Sequence, residues 1–335
     1  MSLTRAIFGC SGLRLTAEEK SFFRDANPYG FILFARNCAS PDQVRALVAD
    51  LYEACPRPVL PILIDQEGGR VARLKPPHWP AYPPAAKLAA LYSRDPEAAK
   101  NAVYTNARLI AEDLASLGIT VDCAPLADIP IEGAHDIIGD RAFGRSPQQV
   151  IELARAMADG LVAGGIVPVL KHIPGHGRAF ADSHEELPVV NTPLEVLRET
   201  DFVPFKALSD LPMAMTAHVV FTALDADHMA TTSPRVIELI RRELGFAGLL
   251  MSDDLSMKAM KGSYAERTKE ALAAGCDVVL HCNGEMQQML QVAAGLSPLE
   301  GISLERAAKA MAGAGTRKAF DVAAARDRMR ELLAS

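Results

Sequence analysis

The sequence predicts an α/β fold, a (β/α)₈ TIM-type barrel in a single domain, on three observations. Eight short runs rich in Ile, Val, Leu and Phe recur along the chain, at 5–10, 30–34, 59–64, 119–124, 166–170, 213–216, 248–251 and 277–281. None alternates cleanly between apolar and polar residues, as expected of strands buried on both faces of a parallel sheet. Amphipathic segments lie between them and no Ser/Gly-rich linker interrupts the series, so residues 1–335 read as one barrel domain closed by C-terminal helices.

The elements follow in order. After the run at 5–10, Thr16 is placed to cap a helix through Ala26, with Glu19 completing a T-x-x-E capping box. Ser40 precedes Pro41, a cap followed by proline at the first helical position, and opens a helix to Glu53. The Pro-rich stretch 76–84 reads as a long loop after the third strand. The longest helix spans 96–117 and stops at Gly118. Ser146 and Pro147 open another, to Ala163, before Gly164 and Gly165. Further helices are expected at 193–208, 234–244 and 265–274, the last two ending at glycine, and near 303–312 and 319–333. A doubly wound sheet is the alternative. It needs a G-x-G-x-x-G turn after the first strand, and Gly9-Cys10-Ser11-Gly12 does not supply one.

Composition narrows the function. Hydrophobic residues make up 49% of the 335, enough for a large core and too many for a disordered chain. A formal charge of −6, without basic clusters, argues against nucleic acid as the partner. No run reaches the length of a membrane span, so no membrane partner is expected. Ile7-Phe8-Gly9-Cys10 has a slight likeness to a lipoprotein cleavage site, but the apolar run before it is too short for a signal core. The six cysteines are scattered without a C-x-x-C pair and read as buried free thiols of a reducing cytoplasm.

In barrels of this class, the residues just past the strand C-termini form the active-site face. Here those positions carry Asp65-Gln66-Glu67-Gly68-Gly69-Arg70, Asp122, Lys171-His172, His218, Ser252-Asp253-Asp254 and His281. One such group is readily a structural residue; their recurrence at one end of the strands is the pattern of an enzyme. The segment 171–188 is long for a barrel loop and holds three histidines. Within it Asp182-Ser183-His184 sets a carboxylate two residues from an imidazole, where it can orient the ring and raise its basicity. Asp253, fixed at a strand end, is suited to attack or stabilise a carbocation. Asp254 is assigned to capping the following helix. Asp65, Arg73, Arg141 and Lys171 offer charged hydrogen bonds for a polyhydroxylated ligand, or salt bridges among the loops. His135 and His228 read as surface residues.

The segments 65–73 (DQEGGRVAR), 139–144 (GDRAFG), 171–177 (KHIPGHG), 182–184 (DSH), 215–218 (MTAH) and 252–257 (SDDLSM) together resemble the bacterial β-N-acetylhexosaminidases of glycoside hydrolase family 3. Ile173 and Ala142 depart mildly from that pattern, where Phe and Ser are common. The resemblance implies Asp253 as nucleophile and His184 as general acid/base assisted by Asp182. It implies Asp65, Arg73, Arg141, Lys171 and His172 as the residues that bind an N-acetylglucosamine unit. The implied substrate is a terminal β-linked N-acetylglucosamine on 1,6-anhydro-N-acetylmuramic acid, with or without peptide, in cytoplasmic peptidoglycan recycling. Neither cofactor nor metal is expected. The partner is the small muropeptide disaccharide, and the oligomeric state is left open, compatible with a monomer.

Three rival functions share the same residues. A metal-dependent hydrolase would draw on His172, His218, His281 and Asp253, but lacks the ligand pair usual on the first strand. A Schiff-base lyase would use Lys171, leaving the DSH loop without a purpose. A non-catalytic sugar-binding module would not need both a nucleophile and an acid/base. For stereochemistry, Asp253-Asp254 superficially matches the carboxylate pair of substrate-assisted hexosaminidases. Neighbours at a strand end point apart, however, so one carboxylate with a loop histidine points to covalent double displacement with retention.

Overall fold

A computed structural model describes residues 2–133, 136–179 and 187–334. Eight parallel strands close into a barrel: β1 (Thr4–Gly9), β2 (Pro28–Leu33), β3 (Ile62–Ile64), β4 (Val121–Asp122), β5 (Val167–Ile173), β7 (Met213–Thr216), β9 (Leu249–Asp254) and β10 (Val278–His281). They neighbour one another in sequence order, and β1 pairs with both β2 and β10 to complete the ring. The eight apolar runs are the eight barrel strands.

Two cores meet at these strands. Ile7, Ile32, Leu63, Val169, Met215, Met251 and Leu280 fill the barrel interior. Their neighbours Ala6, Phe8, Phe31, Leu33, Ile62, Ile64, Leu170, Ala214, Leu250 and Val279 face the helices. The period of two is therefore present, but both faces are apolar and the sequence shows only an unbroken run.

The surrounding helices are α1 (Ala17–Ala26), α2 (Pro41–Ala54), α3 (Ala85–Ala89), α4 (Pro96–Ser116), α5 (Pro147–Ala163), α6 (Leu194–Glu199), α7 (Phe202–Ala207), α8 (Pro234–Glu238), α9 (Tyr264–Ala274), α10 (Met286–Ala294), α11 (Gly301–Met311) and α12 (Val322–Ala334). The Thr16–Glu19 capping box forms as expected, and Ser40 and Ser146 cap their helices. α11 lies under the barrel: Ala307, Ala310 and Met311 pack into the interior core at its N-terminal mouth.

The expectations fail in a few places. The segment 193–208 is two helices, because Pro204 has no N–H to donate to the Thr200 carbonyl and the helix cannot run through that point. After α8 the chain widens into a π-turn over Leu239–Glu243. The short helices α3 and α10 were not anticipated; neither has a side-chain cap at its start. Two short strands outside the barrel, β6 (Val189–Val190) and β8 (Val220–Phe221), pair in parallel and tie the end of the β5 loop to the segment after β7.

Candidate active site

The strand C-termini converge on a cavity of about 270 Å³ lined by Phe34, Asp65, Arg70, Arg73, Arg141, Lys171, His172, Asp253 and Asp254, among others. Six of the eight residues given a catalytic or sugar-binding role meet there: Asp65, Arg73, Arg141, Lys171, His172 and Asp253. Asp182 and His184 lie outside the described residues, as does His135.

The loop after β3 is folded by Gln66. Its side-chain oxygen accepts the amides of Arg73 and Leu74 at 2.8 and 3.0 Å, and its amide donates to the Leu74 carbonyl at 3.1 Å. The bend passes through Gly68, at φ +100°, where a Cβ would lie 2.3 Å from the Pro83 carbonyl oxygen. Arg73 thereby returns to Asp65, with Nη2 3.0 Å from Oδ2.

From Asp65 an ion network crosses the cavity wall. Lys171 Nζ sits 2.9 Å from Asp65 Oδ1 and 2.7 Å from Glu67 Oε1. Arg141 grips Glu67 with two hydrogen bonds, at 2.9 and 2.7 Å. Burial alone would raise both carboxyl pKa values. For Asp65 the charges of Lys171 and Arg73, and for Glu67 those of Arg141 and Lys171, reverse this and hold them below the ordinary range. Burial likewise opposes the charge on Lys171, yet Asp65 and Glu67 raise its pKa above the usual value. Three cations (Arg73, Lys171, Arg141) against two carboxylates leave the array one positive charge in surplus. These residues pair with one another, and Asp65, Arg73, Arg141 and Lys171 also line the cavity. A lysine clamped and charged in this way is poorly suited to form a Schiff base, which needs a neutral amine.

Across the cavity Asp253 is the penultimate residue of β9, its Oδ1 accepting the Asp254 amide at 2.8 Å. Asp254 is not a helix cap. It belongs to β9, and the next helix, α9, begins only at Tyr264 with Ser263 as its cap. The Asp254 carboxylate instead accepts the amides of Ser256 at 3.0 Å and Cys282 at 3.1 Å, pinning the turn after β9 to the end of β10. His218 braces this strand end: its Nε2 donates to the Asp254 carbonyl at 3.1 Å, and its Nδ1 lies 2.7 Å from Thr231 Oγ1. His281 Nε2 meets Gln288 at 3.0 Å. Two of the histidines that the metallohydrolase reading relies on are thus turned toward protein partners. No three His, Cys, Asp or Glu converge as a metal-holding group among the described residues.

Sequence reasoning placed Glu67 on the active-site face without giving it a role, and missed Asp128. Asp128 is fully buried and accepts His172 Nδ1 at 2.7 Å and the His176 amide at 2.6 Å. An acidic residue inside the apolar stretch 121–129 was the available signal, since a buried carboxylate needs partners. Of the other assignments, His228 is exposed, with Nδ1 3.2 Å from Asp225. All six cysteines are free thiols, five of them buried.

The family model "Glycosyl hydrolase family 3 N terminal domain" matches residues 5–311. A protein of Alkalilimnicola ehrlichii named Beta-hexosaminidase is 40% identical over 287 residues, 84% of this chain and 82% of that protein. One of the same name from Xylella fastidiosa is 39% identical over 284 residues, 84% of each. The crystal structure of NagZ from Neisseria gonorrhoeae in complex with N-trifluoroacetyl-D-glucosamine matches with a TM-score of 0.86 at 30% identity, covering 100% of this chain and 97% of that one. With the barrel, the strand-end carboxylate and these likenesses in hand, the chain belongs to family 3 of the glycoside hydrolases, among its β-hexosaminidases.

Proposed function

We propose that this hydrolase is a retaining exo-β-N-acetylglucosaminidase that removes terminal, non-reducing β-linked N-acetylglucosamine. The observation that carries the reading is a single small cavity with Asp253 on one side and the fixed donors and acceptors Asp65, Arg73, Arg141, Lys171 and His172 on the other. Its volume falls just below the roughly 300–1,000 Å³ of pockets for drug-sized ligands, which suits one sugar ring. The bound N-trifluoroacetyl-D-glucosamine in the Neisseria protein supports an N-acetylated amino sugar as that ring.

In the proposed mechanism the Asp253 carboxylate attacks the anomeric carbon while His184, oriented by Asp182, gives its proton to the departing glycosidic oxygen. A glycosyl–Asp253 ester results. His184 then takes a proton from water, whose oxygen attacks the anomeric carbon and releases the carboxylate, for net retention. Every step uses side chains of this barrel domain, and none calls for a cofactor. The proposed natural substrate is N-acetylglucosaminyl-1,6-anhydro-N-acetylmuramic acid, with or without peptide, in peptidoglycan recycling in the cytoplasm. No helix among the described residues is long and apolar enough to cross a membrane.

The test is hydrolysis of p-nitrophenyl N-acetyl-β-glucosaminide beside the corresponding glucoside. Strong preference for the acetamido sugar is expected, and equal or reversed rates would sink the glycon assignment. With methanol as acceptor the first product should be the β-methyl glycoside. A 5-fluoro N-acetylglucosaminyl analogue with a good leaving group should label a peptide containing Asp253. An α-configured first product overturns retention. A β product with no trappable ester, together with strong inhibition by a thiazoline mimic, points instead to the substrate's own acetamido group as nucleophile.

A further inference from the structure

Asp128 is a fully buried carboxylate in contact with the cavity-lining His172, and the mechanism above leaves it without a role. It sits in the strap 125–131, which runs alongside the end of β5 and the segment that follows it. The Ala127 amide donates to the Lys171 carbonyl at 2.7 Å, the Lys171 amide to Pro125 at 3.1 Å, and the Ile131 amide to Gly177 at 3.3 Å. At Gly177 the two segments are so close that a Cβ would lie 1.9 Å from the Ile129 oxygen. Between these ties the Asp128 carboxylate receives the His172 amide at 3.3 Å, the His176 amide at 2.6 Å and the His172 ring nitrogen Nδ1 at 2.7 Å.

An ionised carboxylate only accepts hydrogen bonds, so at this distance Nδ1 carries a proton. Burial would raise the Asp128 pKa, but His172 and His176 together bring it below the ordinary carboxylate value, consistent with an ionised acceptor. His172 lines the cavity, and its other nitrogen, Nε2, has no protein partner among the described residues. We propose that Asp128 is a positioning residue, which holds the His172 imidazole through Nδ1–H and so presents Nε2 to the bound sugar. This rests on the reading of His172 as a sugar contact.

The tautomer is open to direct measurement. In the free enzyme, ¹⁵N NMR of His172 should show Nδ1 protonated. A neutral Nε2–H ring overturns the proposal without reference to activity and without any variant having to fold. In Asp128→Asn the amide keeps an oxygen for the backbone donors but can also donate to Nδ1, so the Nδ1–H population should fall. kcat/KM on the aryl N-acetylglucosaminide should drop roughly 10- to 100-fold, the range known for carboxylates that orient metal-bound imidazoles, the nearest physical analogue. If Asp128 acts through the ring, that loss should vanish in a His172→Gln background. If the two losses multiply, Asp128 serves only the backbone of the turn and the proposal fails. An unchanged kcat/KM in His172→Gln alone would instead overturn the sugar contact, and with it the role given to Asp128.

Discussion

The two mouths of the barrel each hold a buried ion cluster built from similar parts, and at the C-terminal mouth the charged side chains also line a cavity. At the N-terminal mouth Asp277 is almost fully buried. One of its oxygens accepts Ser303 Oγ at 2.7 Å and Arg306 at 3.0 Å, and the other accepts Arg241 at 2.6 Å and the Leu250 amide at 2.9 Å. Arg5 adds its guanidinium to the neighbouring carbonyls of Cys276 and Asp277. The Ser303 and Arg306 bonds fasten α11 beneath the strands, the Arg241 bond ties the turn after α8 to the same carboxylate, and Arg5 joins from β1. At the C-terminal mouth, Arg73, Asp65, Lys171, Glu67 and Arg141 form a comparable chain of charges, but Asp65, Arg73, Arg141 and Lys171 also line the space facing Asp253. Buried charge by itself therefore says nothing of function. What separates the clusters is whether the charged atoms also face a space that a ligand can enter, and the barrel assigns that position to the strand C-termini.

The sharpest way to break this contrast is to neutralise one carboxylate at each mouth. Asp253→Asn should lower kcat by about 10⁴-fold or more, the scale for loss of a covalent nucleophile, with an unchanged unfolding midpoint. Asp277→Asn should do the reverse. Leaving three arginines around a neutral side chain costs about 3–5 kcal/mol when a buried pair is broken, so the midpoint falls while the folded fraction keeps its kcat. Steady-state kinetics and a thermal melt on each variant decide the matter. If Asp254→Asn, rather than Asp253→Asn, abolished turnover, the roles of the two neighbours would have to be exchanged.

Much of this contrast was legible in the sequence, and what was not has a physical reason. The strands announced themselves because burial on both faces leaves no polar residue to interrupt the run. The site residues Asp65, Lys171, His172 and Asp253 were visible because the fold ties strand ends to one face. The role of Glu67, and Asp128 altogether, went unread because their meaning lies in long-range partners: Arg141 is 74 positions from Glu67, and His172 is 44 from Asp128. No local spacing carries that. Asp254 was misread by a local rule, since a strand-end aspartate often caps the next helix. Here the intervening loop runs to Ser263, which does the capping. Helices α3 and α10 are short, at 5 and 9 residues, and have no side-chain cap to mark where they begin.

Next in size is the effect of the proposed acid. A general acid matters most when the leaving group is a poor one. His184→Ala should therefore lose far more activity on a disaccharide than on an aryl glycoside with an acidic phenol, both measured where glycosylation limits the rate. Equal losses would count against His184. A smaller effect is expected from Glu67→Gln, which removes the charge shared by Lys171 and Arg141 without emptying the space. Weakening charged hydrogen bonds worth about 1.5–3 kcal/mol should raise KM by roughly one to two powers of ten, with kcat less affected. A fall in kcat at constant KM would mean that the array acts on the transition state rather than on binding.

The smallest effect concerns Asp122, the carboxylate below the upper cluster. It is fully buried on β4, one oxygen accepting the Gln66 amide at 2.9 Å and the other having no hydrogen-bond partner among the described residues. Burial pushes its pKa up to about 7, with Asp65 and Glu67 adding to the rise and Lys171 opposing it. Its linkage to folding is opposite in sign to theirs. Asp65 and Glu67, with depressed pKa values, stabilise the fold above the normal carboxylate range and lose that contribution as pH falls. Asp122, with its folded pKa raised, contributes fully below its unfolded value near 3.8 and loses that contribution as pH rises toward about 7. Asp122→Asn keeps the acceptor for Gln66 and cannot ionise. The variant should match the wild type in urea denaturation at about pH 4 and exceed it at about pH 8, by at most a few kcal/mol. A stability difference that stayed constant, or shrank, from acid to alkaline pH would show that Asp122 is ionised in the fold at all these pH values. The upper cluster would then balance three carboxylates against its three cations rather than two.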